Sequence, residues 1–284
     1  MNNLNYNHMY LTVVIPNFNG AMYLEEAILS ALENSRGIDE FEIIVSDNHS
    51  TDNSKDIILK YVNRNVRLVV PDKQLSIGEH WTFVCSQATG KYVKFLGADD
   101  LQSSLLINEI ETLSSHPRAV ALVSRRQIIG GNGGVILRSR GISKTFALVS
   151  GDKLIQKTWE SGTNLIGDPT AILFRKDSLI KALPWEDKPF PYVVDLSLYI
   201  KCFQGQEVLV SPKVVSSFRI HTSSVTGKTL SGQAKQFYGL FKLKEISDRP
   251  KDLFSILKMI QVFVMSYIKQ FAKIVFIKLY VRKV

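Results

Sequence analysis

Residues 11–19 read Leu-Thr-Val-Val-Ile-Pro-Asn-Phe-Asn, and residues 41–48 read Phe-Glu-Ile-Ile-Val-Ser-Asp-Asn. Each is a short, β-branched apolar run that stops in small polar residues. A run apolar on both faces is a buried strand of a parallel sheet, and its polar stop is the strand's carboxyl end. Between the two, Leu24, Ala27, Ile28, Ala31 and Leu32 recur at helical spacing. The same alternation continues downstream. Thr51, Asp52 and Asn53 offer helix caps ahead of Ile57, Ile58, Tyr61 and Val62. Residues 66–70 form a third strand closed by Pro71. Trp81, Val84, Cys85 and Ala88 mark another helix, and residues 91–97 a fourth strand. Repeated strand–helix alternation predicts an α/β fold with a mainly parallel central sheet, wound as in nucleotide-binding folds.

Beyond residue 100 the pattern loosens. It predicts a helix over 105–113 and strands over 119–124, 171–175, 208–210 and 214–220. Gly130-Gly131-Asn132-Gly133-Gly134 lacks the lysine and hydroxyl of a phosphate loop and reads as a turn.

Composition sets outer bounds. The 284 residues are 45% hydrophobic and 21% charged, which excludes a disordered or collagen-like chain. Cys85 and Cys202 are too few for a disulfide framework or a cysteine-rich zinc site. The net charge is +9, but residues 251–284 carry +6 of it. A nucleic-acid groove needs cations spread over the body, so that class is disfavoured. The same segment places Leu253, Ile256, Leu257, Ile260, Val264, Ile268, Phe271, Val275 and Leu279 against Lys258, Lys269, Lys273 and Lys278. A basic amphipathic helix of this kind suits an anionic bilayer surface, or a packing face on the body. No apolar stretch reaches the ~18 residues of a spanning helix. The N-terminus carries no secretory pattern. The expectation is a cytoplasmic protein, peripheral at the inner face of the cell membrane.

Ligands of parallel α/β sheets bind at the carboxyl ends of strands. Here those ends read Pro16-Asn17-Phe18-Asn19, Ser46-Asp47-Asn48 and Ala98-Asp99-Asp100. Any one of them is explained by turn chemistry; three on one edge point to a site. Adjacent carboxylates such as Asp99 and Asp100 repel unless a cation neutralises them, and hard divalent ions take one or two carboxylates plus phosphate oxygens. Asp195 opens a predicted helix, where it serves equally as a cap or as a lone general base. Arg219 and His221 fall on one strand face.

The strings LTVVIPNFNGAMYLEEAILSAL, FEIIVSDNHSTDNS and GKYVKFLGADD together resemble family 2 glycosyltransferases of the GT-A fold, over roughly residues 10–225. The resemblance implies an inverting enzyme using a nucleotide-sugar, most often a UDP-sugar. It implies a catalytic domain over 1–230, with a nucleotide-binding half to about 100 and an acceptor half from 101 to 230. A helical, membrane-associating segment over 231–284 follows. It assigns Asp47 to the base, and Pro16, Asn17 and Asn19 to the nucleotide pocket. The acidic motif places Asp100 on a divalent metal, Mg²⁺ or Mn²⁺, and Asp99 on the ribose or the metal. Many relatives have Asp where Gly97 stands, and Gly where His49 stands. Asp195 matches the segment supplying the base. Asp168 matches a loop beside the transferred sugar, though a plain turn explains it too. Arg219 and His221 match an R-x-H segment; Arg219 would pair an acid or a phosphate, and His221 would bind metal or phosphate or be structural. The implied acceptor is a saccharide or lipid-linked saccharide of cell-surface polysaccharide synthesis. A sugar nucleotidyltransferase would want a cationic glycine loop after the first strand, which is missing. A catalytically inactive, membrane-associated nucleotide-sugar-binding module has only the departure at Gly97 in its favour.

Overall fold

The computed structural model describes residues 10–185, 188, 190, 191, 193–221, 233–243 and 253–280. Strand β1 (Tyr10–Asn17) runs parallel to β2 (Glu40–Asp47), with Asn17 opposite Asp47. β3 (Val66–Val69) extends β2, and β4 (Tyr92–Phe95) flanks the other side of β1, both parallel. Helices α1 (Ala21–Asn34), α2 (Ser54–Leu59) and α3 (Ile77–Ser86) make the crossovers. Residues of β1 alternate between two buried layers: Val13 and Ile15 enter one apolar cluster and Val14 the other. This is why the strand is apolar at every position rather than at every second one.

The second half adds β5 (Leu101–Gln102), α4 (Leu106–Ser114), β6 (Ala119–Gly130), β7 (Val135–Arg140), β8 (Ala147–Ser150) and α5 (Gly151–Ser161). A 3₁₀ turn at Pro169–Ala171 leads into β9 (Ile172–Arg175), α6 (Lys176–Ala182), α7 (Val194–Phe203) and β10 (Glu207–Ile220). The strand order is β3-β2-β1-β4-β9-β6-β10-β5, with β7 on β6 and β8 on β10. β9 is antiparallel to both β4 and β6. It seams the parallel nucleotide-side strands to the parallel β6–β10 pair.

Several boundaries differ from expectation for local reasons. α3 starts at Ile77, ahead of Trp81, because Ser76 and Glu79 form a reciprocal capping box. Residues 208–210 and 214–220 are one bulged strand, β10, not two. β6 continues six residues past 124, because β7 folds back on it through the glycine turn, where Gly130 N donates to Gly134 O at 2.8 Å.

The C-terminal helices α8 (Gln233–Leu243) and α9 (Leu253–Tyr280) meet the body through a mixed seam, in which Phe237, Leu240 and Val262 join the apolar cluster of Trp159 and polar groups bond around them. Gln270 accepts from Ala234 N at 2.9 Å, and Lys269 Nζ donates to the Ser161 carbonyl. Ser266 packs on Gly162, where a Cβ would come within 2.7 Å of the hydroxyl. Leu257, Ile260, Val264, Ile268 and Phe271 lie on the opposite, exposed side. Among its described residues the helix buries a mixed stripe of Val262, Ser266 and Gln270 and leaves large apolar residues exposed. Arg282, Lys283 and residues 222–226 lie outside the described residues. Among the described residues no helix is long and apolar enough to cross a membrane.

Lys94 of β4 is fully buried and pairs with Glu109 of α4 at 2.8 Å; Glu109 also accepts from Gln102 of β5 at 2.7 Å. Burial pulls the Lys94 ammonium below its usual pKa, against the pull of Glu109. Glu109→Ala leaves that ammonium unpaired, which costs about 3–5 kcal/mol. A urea melt should show a lower midpoint with an unchanged slope.

Candidate active site

The carboxyl ends of β1, β2 and β4 lie side by side, as the sheet order requires. Asn17 Nδ2 donates to Asp47 Oδ1 at 2.9 Å, and Ser50 N donates to the other oxygen at 3.1 Å. Asn17 Oδ1 is buried without a hydrogen-bond partner. Pro16 precedes it in β1, in register with Ser46. Asn19 sits at φ 52°, and its side chain accepts from Thr51 N at 2.7 Å. Asn48 makes a two-point clip to Leu75, both bonds 2.9 Å. His49, at φ 60°, bonds the Pro71 carbonyl at 2.9 Å. This left-handed backbone favours Gly, the residue the resemblance implies there; His is tolerated in that region and adds a tie to the end of β3. His80, buried on Ser46 at 2.8 Å, is pushed down to about 4, chiefly by burial, and supports the Asp47 turn as a neutral group. Trp81 packs on Phe95 and Trp185 as core.

Gly20 brings the β1 turn onto Ala98, placing Asp99 and Asp100 beside it. The two acids have different environments. Asp100 is buried; Thr170 Oγ1 donates to one oxygen at 2.6 Å and Arg219 N to the other at 3.0 Å. Burial first, then the Asp99 charge, holds Asp100 well above the usual carboxylate range. Asp99 is more open and meets His221 Nε2 at 2.9 Å. Arg219 is buried over the Tyr23 ring, 4.4 Å from its centroid. Its guanidinium bonds Glu26 at 2.7 Å, the Asp99 carbonyl at 2.8 Å and the Gly131 carbonyl at 3.1 Å. Of the two expected pairings, Arg219 makes the acid one, and it acts as the clamp of the acidic turn.

A cavity of about 590 Å³ opens next to this turn, lined by Asp168, Asp195, Asn164 and Arg126 among others. Asp195 lies in the first turn of α7, but the cap position is Val193, so capping does not account for it. It accepts from Asn164 Nδ2 at 2.6 Å and from Leu196 N at 2.8 Å. Burial raises it to about 7. Asp168 pairs with Arg126 of β6. The loop after Asp168 delivers Thr170 to Asp100, so the cavity and the acidic turn share one support. Asp47, Asp99, Asp100, Asp168 and Asp195 therefore gather along one edge of the sheet. Arg126, Thr170, Asn164, Tyr23 and Glu26 were not anticipated. Arg126 lies beyond the expected end of its strand.

The family model "Glycosyl transferase family 2" matches residues 12–183. The chain belongs to glycosyl transferase family 2. Among curated relatives, it is 26% identical to an uncharacterized glycosyltransferase, alr2836, of Nostoc sp., over 82% of this chain and 72% of that one. It is 27% identical to the poly(ribitol-phosphate) beta-N-acetylglucosaminyltransferase TarS of Staphylococcus aureus, over 43% of this chain and 22% of TarS. Its fold matches crystal structures of S. aureus TarS 1–349 with TM-scores of 0.68 in the UDP-GlcNAc complex and 0.65 in the UDP complex. These cover 93% of this chain and 73% and 72% of those, at 17% and 18% identity. As a family member the chain is a glycosyltransferase on an α/β fold with parallel strands at its centre.

Gly97, where the resemblance implies an Asp, has a local reason. A Cβ there would lie 2.8 Å from Asp100 Oδ2 and 3.1 Å from Asp99 Oδ1. Gly97→Ala should displace Asp100 from Thr170, leaving a buried acceptor short of a donor at a cost of about 1–3 kcal/mol. Thermal melting should fall together with the rate of nucleotide release from the donor.

Proposed function

We propose that this family 2 glycosyltransferase moves a sugar with inversion from a UDP-sugar to an acceptor hydroxyl, with Asp195 as the general base. The observation that carries the reading is Asp195 itself. It faces a cavity large enough for a saccharide, held by Asn164 and with its pKa raised to about 7. A base poised near neutrality takes a hydroxyl proton most effectively. In a single displacement one such carboxylate is enough, because no covalent intermediate forms.

Donor binding falls to the strand-end residues. Asp47 offers a carboxylate acceptor to the N–H of uracil, Asn17 holds that carboxylate in place, and Pro16 and Asn19 shape the same turn. Asp168, paired with Arg126, borders the sugar position. Arg219 holds the acidic turn beneath the diphosphate rather than touching it.

The residues fit a divalent ion held jointly with the donor. Asp99 and His221 supply one carboxylate and one imidazole, already 2.9 Å apart. Asp100 has both oxygens engaged inside the fold, so it serves the site by positioning Asp99. Among the described residues no group of three or more His, Cys, Asp or Glu gathers as a ligand set. One carboxylate plus diphosphate oxygens is an ordinary arrangement for Mg²⁺, and an imidazole beside them suits a transition metal such as Mn²⁺. When bound, the ion would neutralise charge on the departing nucleoside diphosphate.

The exposed stripe of α9 supports peripheral attachment to an anionic membrane, with a lipid-linked saccharide as acceptor. Ile260, Ile268 and Phe271 are 53%, 55% and 68% exposed, and residues 251–284 carry a net +6. Apolar area with excess positive charge matches the two attractions of an anionic interface.

Asp195→Asn should lower transfer by about 10²–10⁴-fold, with UDP affinity, read by calorimetry, unchanged. Equal loss of both refutes the assignment. The pH profile follows from the same group. Its working form is the carboxylate, so kcat/KM should climb with pH up to about 7 and level off above it. A rate already flat from pH 5 would contradict it. For the membrane, Ile260→Glu with Phe271→Glu should abolish co-sedimentation with phosphatidylglycerol vesicles while the melting temperature stays unchanged. Retained binding removes α9 as the anchor.

A further inference from the structure

The carboxylate of Asp195 belongs to α7, but a loop ahead of the 3₁₀ turn decides how it is held. Asn164 Nδ2 donates to Asp195 Oδ2 at 2.6 Å and to the Gly167 carbonyl at 3.0 Å. Asn164 Oδ1 accepts from Gly167 N at 2.9 Å. These bonds fix which way the amide points. Its oxygen has to meet the Gly167 N–H, so its NH₂ faces the carboxylate. The reversed amide would set an oxygen against an anion. An acid at 164 would bring a like charge instead of a donor.

The loop is also fastened to α7 at a second point. Tyr199 lies one helical turn beyond Asp195, on the same face. Its buried hydroxyl donates to the Gly167 carbonyl at 3.1 Å. Burial first, and then the charge of Asp195, push that phenol well above its usual value, so it stays a donor. Gly167 permits the close approach: it sits at φ +112°, where a Cβ would run into Arg126 Nη1. Residues 164 and 167 therefore grip one face of α7, and the grip ends on Asp195.

On the carboxylate itself, Leu196 N donates to Oδ1 at 2.8 Å. Each oxygen then carries a donor, which stops rotation of the group and leaves each oxygen a further lone pair. The charged groups around it are Asp168, Arg126 of β6, and, on the cavity wall, Arg140 of β7 and Lys269 of α9. Arg126 is paired with Asp168, and Lys269 with the Ser161 carbonyl. Asn164 reaches the carboxylate from outside α7 as a neutral donor. Such a bond favours the ionised form, against burial, which opposes it.

We propose that Asn164 is a positioning residue for the general base: its amide, set by Gly167, aims the Asp195 carboxylate at the acceptor hydroxyl and favours its ionised form. The inference rests on the reading of Asp195 as that base.

The test is the pH dependence of kcat/KM for UDP-sugar turnover by the full chain. Asn164→Ser withdraws the donor from Asp195 but leaves an oxygen that can take the Gly167 N–H, as serine does in place of asparagine at turns. Its midpoint should lie about one to two pH units above the native one, the scale of one hydrogen bond to a charged group. At pH 7 the rate should fall about five- to fiftyfold, and part of that loss should return as the pH is raised. The donor KM should stay within about twofold. Asn164→Ala should show the same midpoint, and whichever of the two melts cooperatively carries the test. Ser161→Ala loosens the same loop at Thr163 and should leave the midpoint where it is. In an Asp195→Asn background, Asn164→Ser should cost less than about twofold, because the group it acts through is gone. An unmoved midpoint with a lower plateau, or a full loss added on top of Asp195→Asn, overturns the inference and leaves Asn164 a loop-forming residue. Native turnover by Asp195→Asn would instead remove the base itself.

Discussion

Two neighbouring carboxylates at the end of a buried strand must be kept apart, and the rest of the site is arranged around how that is done. Asp100 turns inward to Thr170 and the Arg219 amide; Asp99 turns outward to His221. Arg219 makes this division stable. Its backbone bonds one acid, its side chain bonds the carbonyl of the other, and Glu26 balances its charge. The guanidinium also lies on the Tyr23 ring, an attraction that strengthens where water is excluded. One residue from β10 thus joins the first crossover helix, the end of β4 and the β6–β7 turn. Without that clamp, burial of Asp100 next to a second carboxylate would oppose folding.

The same geometry explains why the protein needs its antiparallel seam. The nucleotide corner is made by β1, β2 and β4, whereas the proposed base and the cavity belong to elements beyond β9. β9 carries the load between them. The loop preceding it brings Asp168 to Arg126 on one side and Thr170 to Asp100 on the other. A displacement of that loop would be felt at the acidic turn and in the cavity together. Tyr199 adds a further tie, donating from α7 to the Gly167 carbonyl at 3.1 Å.

How much of this was legible beforehand depends on whether the information is local. β1, β2 and β4 were readable because each is a largely apolar run that stops in Asn or Asp, as a parallel sheet covered on both sides requires, and β3, with its exposed Arg67, because Pro71 closes it. Asp47, Asp99, Asp100 and Asp195 were legible for the same reason, since their chemistry is out of place at the end of an apolar run or the start of an apolar helix. The second half was harder. β7 and β8 are edge strands with solvent on one side, so their sequences lack a continuous apolar run. Arg126 looks like any charged residue in a strand until Asp168 and Arg140 are brought to it from 42 and 14 residues away. The division of labour between Asp99 and Asp100 depends on Thr170 and Arg219, at separations no local pattern records. The glycine at 97 read as a missing ligand, whereas its Cβ position is where Asp100 packs.

The C-terminal helix is the clearest case of a pattern read correctly and oriented by something else. Its periodicity states that one side is apolar, and intuition seats that side on the protein. Here Ser266, Lys269 and Gln270 face α5 and α8, because Gly162 lets the helix come close and carbonyl and amide groups there need partners. Val262 joins the core beside them, and the larger apolar stripe is left outward. Helix α9 thus contributes Lys269 and Gln270 to the wall of the cavity while presenting Ile260, Ile268 and Phe271 to whatever lies outside. The proposed lipid-linked acceptor would rest its apolar anchor on one side of this helix and reach Asp195 along the other. This seating lets one helix wall the cavity beside Asp195 with Lys269 and Gln270 while its outer stripe stays open for the proposed membrane contact.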